Sequence, residues 1–207
     1  MEEKESKIIE AAIGIFMRFG IKSVNMADIA AQLGISKKTL YKYVSDKADL
    51  VKRAMEYHCD LEDKQLKEIA EKNLNAIDES FEVMRMVMNM VKDIHPSVLF
   101  DIQKYHPEIK KSMEEDRHKI IYDHLTANME KGMKEGVYRD DIHPDIVASL
   151  YVNNVEAIFH KLTFVETEYS FATLYRELFR LHIRGIASAK GIKYLVEKMK
   201  QESNTKQ

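Results

Sequence analysis

The sequence predicts an all-α protein of about nine or ten helices. A three-helix unit with a helix-turn-helix pattern spans residues 1–48, and a second helical domain spans 49–207. Three observations predict this. The 207 residues include only 7 glycines, 3 prolines and no tryptophan, so long helices can run with few interruptions. Apolar residues recur at three- and four-residue spacing along nearly the whole chain. Residues 25–50, NMADIAAQLGISKKTLYKYVSDKADL, contain two short helix patterns broken at one glycine.

Ile8, Ile9, Ala12, Ile13 and Phe16 fall on one face of a first helix that ends at Gly20 and braces the pair that follows. Asn25 caps the second helix, Asp28 sits near the positive end of its dipole, and Ile29, Ala30 and Leu33 form a narrow apolar stripe. Gly34 ends it, Ile35 packs back into the corner, and Ser36 caps a third helix with Leu40 and Val44 on its inner face. The outer face carries Lys37, Lys38, Thr39, Tyr41, Lys42 and Tyr43. These offer cations and hydroxyls to phosphates and flat rings to thymine methyls, as a helix in a major groove requires. Lys38 and Tyr41 are expected at or near base edges, Tyr43 and Lys47 at phosphates. A long connecting helix then starts near Asp46 or Lys47 and runs to about Glu71, with Leu50, Ala54, Tyr57, Leu61 and Leu66 on its apolar side. All three prolines follow histidine (His95-Pro96, His106-Pro107, His143-Pro144) and read as helix starts. The remaining helices are expected at about 76–93, 96–105, 107–134, 144–166 and 170–189, with a short one toward Lys200 and a polar tail.

The run from Ala11-Ala12 through Phe16, Gly20, Asp28-Ile29-Ala30, Gly34-Ile35-Ser36, Thr39-Leu40-Tyr41, Tyr43 and Lys47 to Leu50 resembles the DNA-binding domain of TetR-family transcriptional regulators. The resemblance covers roughly the first 55 residues. Lys38 departs from the small residue or proline common there, Val44 from phenylalanine, and Met26-Ala27 from small polar or basic residues. The resemblance implies a homodimer on a palindromic double-stranded DNA operator, released when a small effector enters the C-terminal domain.

The net charge of −2 conceals an uneven distribution. Residues 36–53 hold six basic side chains against two acidic, whereas residues 59–207 hold 22 basic against 26 acidic, so the basic patch belongs to the helix-turn-helix. A single cysteine, Cys59, excludes an intramolecular disulfide and reads as a buried or half-buried side chain. The charged start, MEEKESK, leads directly into an amphipathic helix, which points to a cytoplasmic protein with neither signal peptide nor membrane span. The histidines stand singly, and no phosphate loop, nucleophile elbow or metal-ligand spacing occurs, so no catalysis, cofactor or metal is expected.

Two segments carry the expectations for the second domain. VMRMVMNMV, residues 83–91, is apolar nearly all round, and its methionines suit either irregular core filling or an adaptable pocket. The pocket reading takes Met84, Met88, Phe100, Tyr105 and Tyr122 with Asn153, Asn154, Glu156 and His160 as lining for a mostly apolar effector. The helices over 146–165 and 170–189 carry broad apolar surface, and the resemblance implies that they build the dimer interface, through Ile158, Leu162, Leu174, Leu178, Leu181 and Gly185. Two other readings stay open: a ligand-independent architectural DNA-binding protein, and a helical ligand-binding protein without DNA function.

Overall fold

The computed structural model describes residues 3–92, 94–95, 97–164 and 168–204, and side chains over the same ranges except 160–164 and 201–204. Among these residues the chain forms ten α-helices: α1 Glu3–Phe19, α2 Met26–Gln32, α3 Lys37–Leu40, α4 Lys47–Ala70, α5 Ala76–Lys92, α6 Ser97–Tyr105, α7 Pro107–Lys134, α8 Pro144–Phe164, α9 Phe171–Ile186 and α10 Ala189–Asn204. Pro107 and Pro144 open helices, as their fixed φ and missing N–H favour. Pro96 lies outside the described residues, and α6 begins one residue after it.

The helices form two compact units, residues 1–65 with 92–117, and 66–91 with 118–207. The first unit therefore includes α6 and the start of α7 beside the three N-terminal helices. Its core joins Ile9 and Phe16 of α1, Ile29 of α2, Leu40 of α3 and Leu50, Val51, Ala54 and Met55 of α4 to Val98 and Ile102 of α6 and Ile109 and Met113 of α7. The buried side of α4 runs through Leu50, Val51, Ala54, Met55 and Cys59, while Leu61, expected inward, is exposed. The core takes up the neighbouring positions Val51, Met55 and Cys59 in place of Leu61. Burial pushes the Cys59 thiol up to about 11, which keeps it protonated and unreactive.

The second unit has two apolar clusters. One joins Ala76, Ile77 and Phe81 of α5 with Met129, Tyr138, Phe179, Ile183 and Leu195. The other joins Tyr151 and Val155 of α8 with Phe171 and Tyr175 of α9, and Met84, Val87, Met88 and Val91 of α5 pack on it. A buried polar network pins α5 to α7. Glu79, 4% exposed, accepts hydrogen bonds from Asn128 Nδ2 at 2.8 Å and Lys131 Nζ at 2.7 Å. Tyr138 Oη donates to the Ala76 carbonyl at 3.0 Å, so each member of this network has a partner. Gly132 packs face-on against the Tyr138 ring, where any added Cβ would collide.

Candidate nucleic-acid interface

Each helix of the reading motif is started and stopped by its own residues. Asn25 Oδ1 accepts from the amides of Ala27 and Asp28 at 2.8 and 3.1 Å, and Asp28 Oδ2 accepts the Asn25 amide at 2.8 Å, a reciprocal capping box. At the other end Gly34 adopts φ +66°, and the amides of Gly34 and Ile35 bond the carbonyls of Ala31 and Ala30 at 3.1 and 3.0 Å. A left-handed residue there turns the chain without a Cβ clash. Ser36 Oγ then accepts the Thr39 amide at 3.0 Å and opens α3.

The third helix is shorter than its sequence pattern suggests. Regular α-helix ends at Leu40, and Tyr41, Lys42 and Tyr43 continue in a tightened turn, with the Tyr43 amide bonded to the Leu40 carbonyl at 3.0 Å. Leu40 and Val44 are buried as the spacing requires. Lys37, Lys38, Tyr41 and Lys42 are exposed, Thr39 is half-buried, and Tyr43 packs against the core. Asn25 and Ser36 are exposed, and both side chains are engaged as caps.

Lys47 has an internal role that its sequence position does not announce. Its Nζ donates to the Ile21 carbonyl at 2.7 Å, and partial burial lowers its pKa, with the carboxylates of Asp101 and Asp28 opposing that shift. The same peptide is gripped from the other side. Asp101 of α6, 4% exposed, accepts the amides of Ile21 and Lys22 on Oδ2 at 3.1 and 2.8 Å. The amide of His95 adds a bond to the Met17 carbonyl at 2.6 Å, and Gly20, at φ +83°, leaves room for Ser97. His95, just ahead of α6, and Asp101 within it are thereby fastened to the turn between α1 and α2. Asp101 was invisible to a reading by motif, because a carboxylate 80 residues away has no local signature.

The residues considered for an effector divide between the units. Phe100 and Tyr105 belong to the first unit, with half-exposed rings lying under lysine ammonium groups. In the second, Met84 and Met88 pack on the Tyr151, Val155, Phe171 and Tyr175 cluster, and Tyr122 packs on the neighbouring one. Rings meet through that cluster: Phe171 stacks on Tyr175 at 5.4 Å, while Phe159 lies tilted against Phe171 at 4.8 Å and His182 against Tyr151 at 4.5 Å. Burial lowers the His182 pKa to about 4, so the imidazole is neutral. Asn153 and Asn154, expected to be buried, are exposed, and Asn154 Nδ2 donates to its own helix at Leu150. They share a face of α8 with Ile146 and Leu150, opposite Tyr151 and Val155. Glu156 meets His118 at 3.2 Å. The side chains of His160 and Leu162 lie outside those described.

Of the residues considered for a dimer interface, Leu181 is 70% exposed and Gly185 faces open space. Leu174 is half-buried, and Ile158 and Leu178 pack partly against the ring cluster. Ile146 and Leu150 of α8, 54% and 58% exposed, were not singled out in the sequence, although their four-residue spacing with Asn154 could have shown the stripe.

Residues 8–54 match the model of the bacterial regulatory proteins, tetR family. Residues 8–54 thus form a TetR-family DNA-binding domain. The chain is 20% identical to the uncharacterized HTH-type transcriptional regulator YfiR of Bacillus subtilis, over 91% of this chain and 94% of that protein. Its fold is similar to that of a transcriptional regulator from Saccharomonospora viridis solved in complex with choline, at TM-score 0.71 and 18% identity over 91% of this chain and 100% of that one. It is also similar to FadR from Bacillus subtilis solved in complex with stearoyl-CoA, at TM-score 0.64 and 15% identity over 87% and 98%. The match ends inside α4, so Asp101 lies outside it while the amides that it holds lie inside.

Removing that anchor has a local signature. Asp101→Ala leaves buried amides without an acceptor, at about 1–3 kcal/mol for each such group. Urea unfolding should show the loss, and hydrogen exchange at the Ile21 and Lys22 amides should accelerate selectively, with Asp101→Asn recovering part of the protection. Unchanged exchange at those two amides would show that the carboxylate does not hold the turn.

Proposed function

We propose that this protein is a homodimeric repressor that binds a near-palindromic operator through α3 of each subunit and is released by a small, mostly apolar effector held in the second unit. The observation that carries the DNA reading is the outer surface of the Ser36-capped helix: Lys37, Lys38, Tyr41 and Lys42 are exposed, while the inner residues Leu40 and Val44 lock it to the core. Lys38 and Tyr41 are assigned to base edges and Lys37 and Lys42 to phosphates, since Lys47 is bonded to the Ile21 carbonyl and Tyr43 packs against the core. Lys38→Ala should then narrow the affinity gap between operator and random duplex by about 1–3 kcal/mol. Lys42→Ala should weaken both duplexes alike and lower the salt slope by about 0.9. Titration by fluorescence anisotropy in a salt series compares the two, and equal effects on specificity would remove the division of labour.

Dimerisation is supported by the apolar stripe of Ile146, Leu150 and Leu181, which one chain leaves in water. A twofold dimer also reads two half-sites, where one short helix offers few contacts. Leu181→Arg introduces an unpaired charge into that stripe without touching the core, so it should give folded monomers by sedimentation and a collapse of operator affinity. An intact dimer in that variant would place the interface elsewhere.

The effector site is assigned to the cluster of Met84, Met88, Tyr151, Phe171 and Tyr175, where flexible thioethers meet stacked rings. The structures of similar fold that hold choline and stearoyl-CoA support a ligand-responsive second domain of this architecture. An apolar compound at a free concentration of 100 times its dissociation constant should stabilise the protein by about 2.7 kcal/mol, read as a shift in melting temperature. Met88→Trp should abolish that shift and leave operator binding intact. If the methionines are ordinary core, the same change instead destabilises the free protein by about 1–3 kcal/mol, and no compound in an apolar screen stabilises the wild type.

A further inference from the structure

We propose that Lys22, Lys104 and Tyr105 form a second DNA-backbone contact, which grips phosphates flanking the bases reached by α3. The proposal rests on the DNA-binding reading above and extends the interface beyond the helix-turn-helix to α6. Lys22 stands three residues before Asn25, the cap of α2, and Lys104 and Tyr105 are the last two residues of α6. These segments are far apart in sequence, and the bond from the Lys22 amide to Asp101 Oδ2 at 2.8 Å holds them side by side.

Two cations converge on one phenol. Lys22 Nζ lies 5.1 Å from the Tyr105 ring centroid, and Lys104 Nζ lies 5.5 Å from it and 5.3 Å from the Phe100 ring. The lysine hydrogen bonds and charges lower the Tyr105 pKa, Lys22 contributing most, and the same contact raises that of Lys22. All four side chains are exposed. Bringing like charges together at a surface is unfavourable unless an anion joins them.

No carboxylate answers these lysines among the described residues. Asp101, the nearby candidate, is buried and its Oδ2 already accepts two amides. Several lysines outside the DNA-reading motif are answered locally: Lys7, Lys52, Lys110 and Lys111 each pair with a glutamate one turn away on their own helix. A paired lysine is a solvated helix face, whereas an unpaired pair of lysines around a phenol suits a phosphodiester. The ammonium groups supply charge, the phenol a hydrogen bond, and the Phe100 ring a flat surface for a sugar. Continuity with the capped start of α2 favours the DNA backbone as the occupant over any other phosphate.

The test uses the full-length chain with two labelled duplexes, one from upstream of its own gene and one of random sequence, titrated from 50 to 200 mM salt. Lys22→Gln/Lys104→Gln should bind both duplexes more weakly by a similar factor and lose about 1.8 of the slope of log affinity against log salt, about 0.9 for each phosphate released. The advantage of the wild type should therefore shrink about tenfold across that salt range, with the melting temperature unchanged. Lys104→Gln alone, on an exposed helix end, should lose about 0.9 and covers any disturbance of the turn by the change at Lys22. An unchanged slope in the double variant overturns the proposal. So does a slope unchanged on DNA beside lost binding to phosphatidylglycerol vesicles, which would assign the cluster to a membrane surface. Lys37→Gln/Lys42→Gln, on and just after α3, separates the two levels of inference. If that pair leaves DNA binding intact, the DNA-reading conclusion itself fails; if it weakens binding while the α6 pair does not, only the α6 contact falls.

Discussion

The reading motif depends on one peptide being held from both sides. Lys47 Nζ takes the carbonyl of Ile21, and Asp101 takes its amide together with that of Lys22. Burying a carboxylate is costly unless its lone pairs are answered, and here two amides answer one oxygen while the Lys47 ammonium acts within the same charge field. The turn between α1 and α2 sets where the capped start of α2 points, so the attitude of the whole motif is tied to a residue of α6. A DNA-binding unit bounded at residue 48 would omit this constraint. The compact unit that includes residues 92–117 contains it.

What was legible in the sequence was legible because it is local. The capping pairs Asn25 with Asp28 and Ser36 with Thr39, the left-handed Gly34 and the inward Leu40 and Val44 are set by neighbours within four residues. Periodicity placed the helices for the same reason. The features that escaped are long-range or depend on a choice among equivalent faces. Asp101 answers amides far away in sequence, Leu61 competed with Cys59 for the buried side of α4, and Tyr41 to Tyr43 tighten because Tyr43 must reach the core. Asn153 and Asn154 were assigned inward because their helix is so apolar, yet α8 has two apolar faces. Tyr151 and Val155 bury one of them, and Ile146 and Leu150 leave the other in water.

That doubling of α8 separates two tasks on one helix. The face with Tyr151 and Val155 meets the rings of α9 and the thioethers of α5, where a methionine can change rotamer at little cost. The opposite face keeps large aliphatic side chains exposed beside asparagines that already satisfy part of their hydrogen bonding within the helix, as Asn154 does. A polar residue so satisfied can enter an interface without leaving a buried amide unpaired. The sequence of α8 therefore reads as continuously apolar while its two sides answer different requirements.

The same distinction between position and availability applies to charge. Residues 36–53 contain six basic side chains, but they are not six hooks for phosphate. Lys47 is turned to the Ile21 carbonyl, Arg53 bonds the Tyr43 carbonyl at 2.7 Å and pairs with Glu5, and Lys52 has Glu56 one turn away. The first two brace the motif, and the third is paired along its own helix. Lys37, Lys38 and Lys42 are left exposed on and just after α3. A reading helix of four residues with three free cations makes a small electrostatic footprint, and affinity for a polyanion scales with the number of phosphates neutralised. A regulator built this way reaches useful affinity by adding subunits or by adding cations from outside the motif. The fastening of α6 to the turn before α2 makes the second route available without enlarging the motif, because it brings Lys104 to the side of Lys22 on a rigid support.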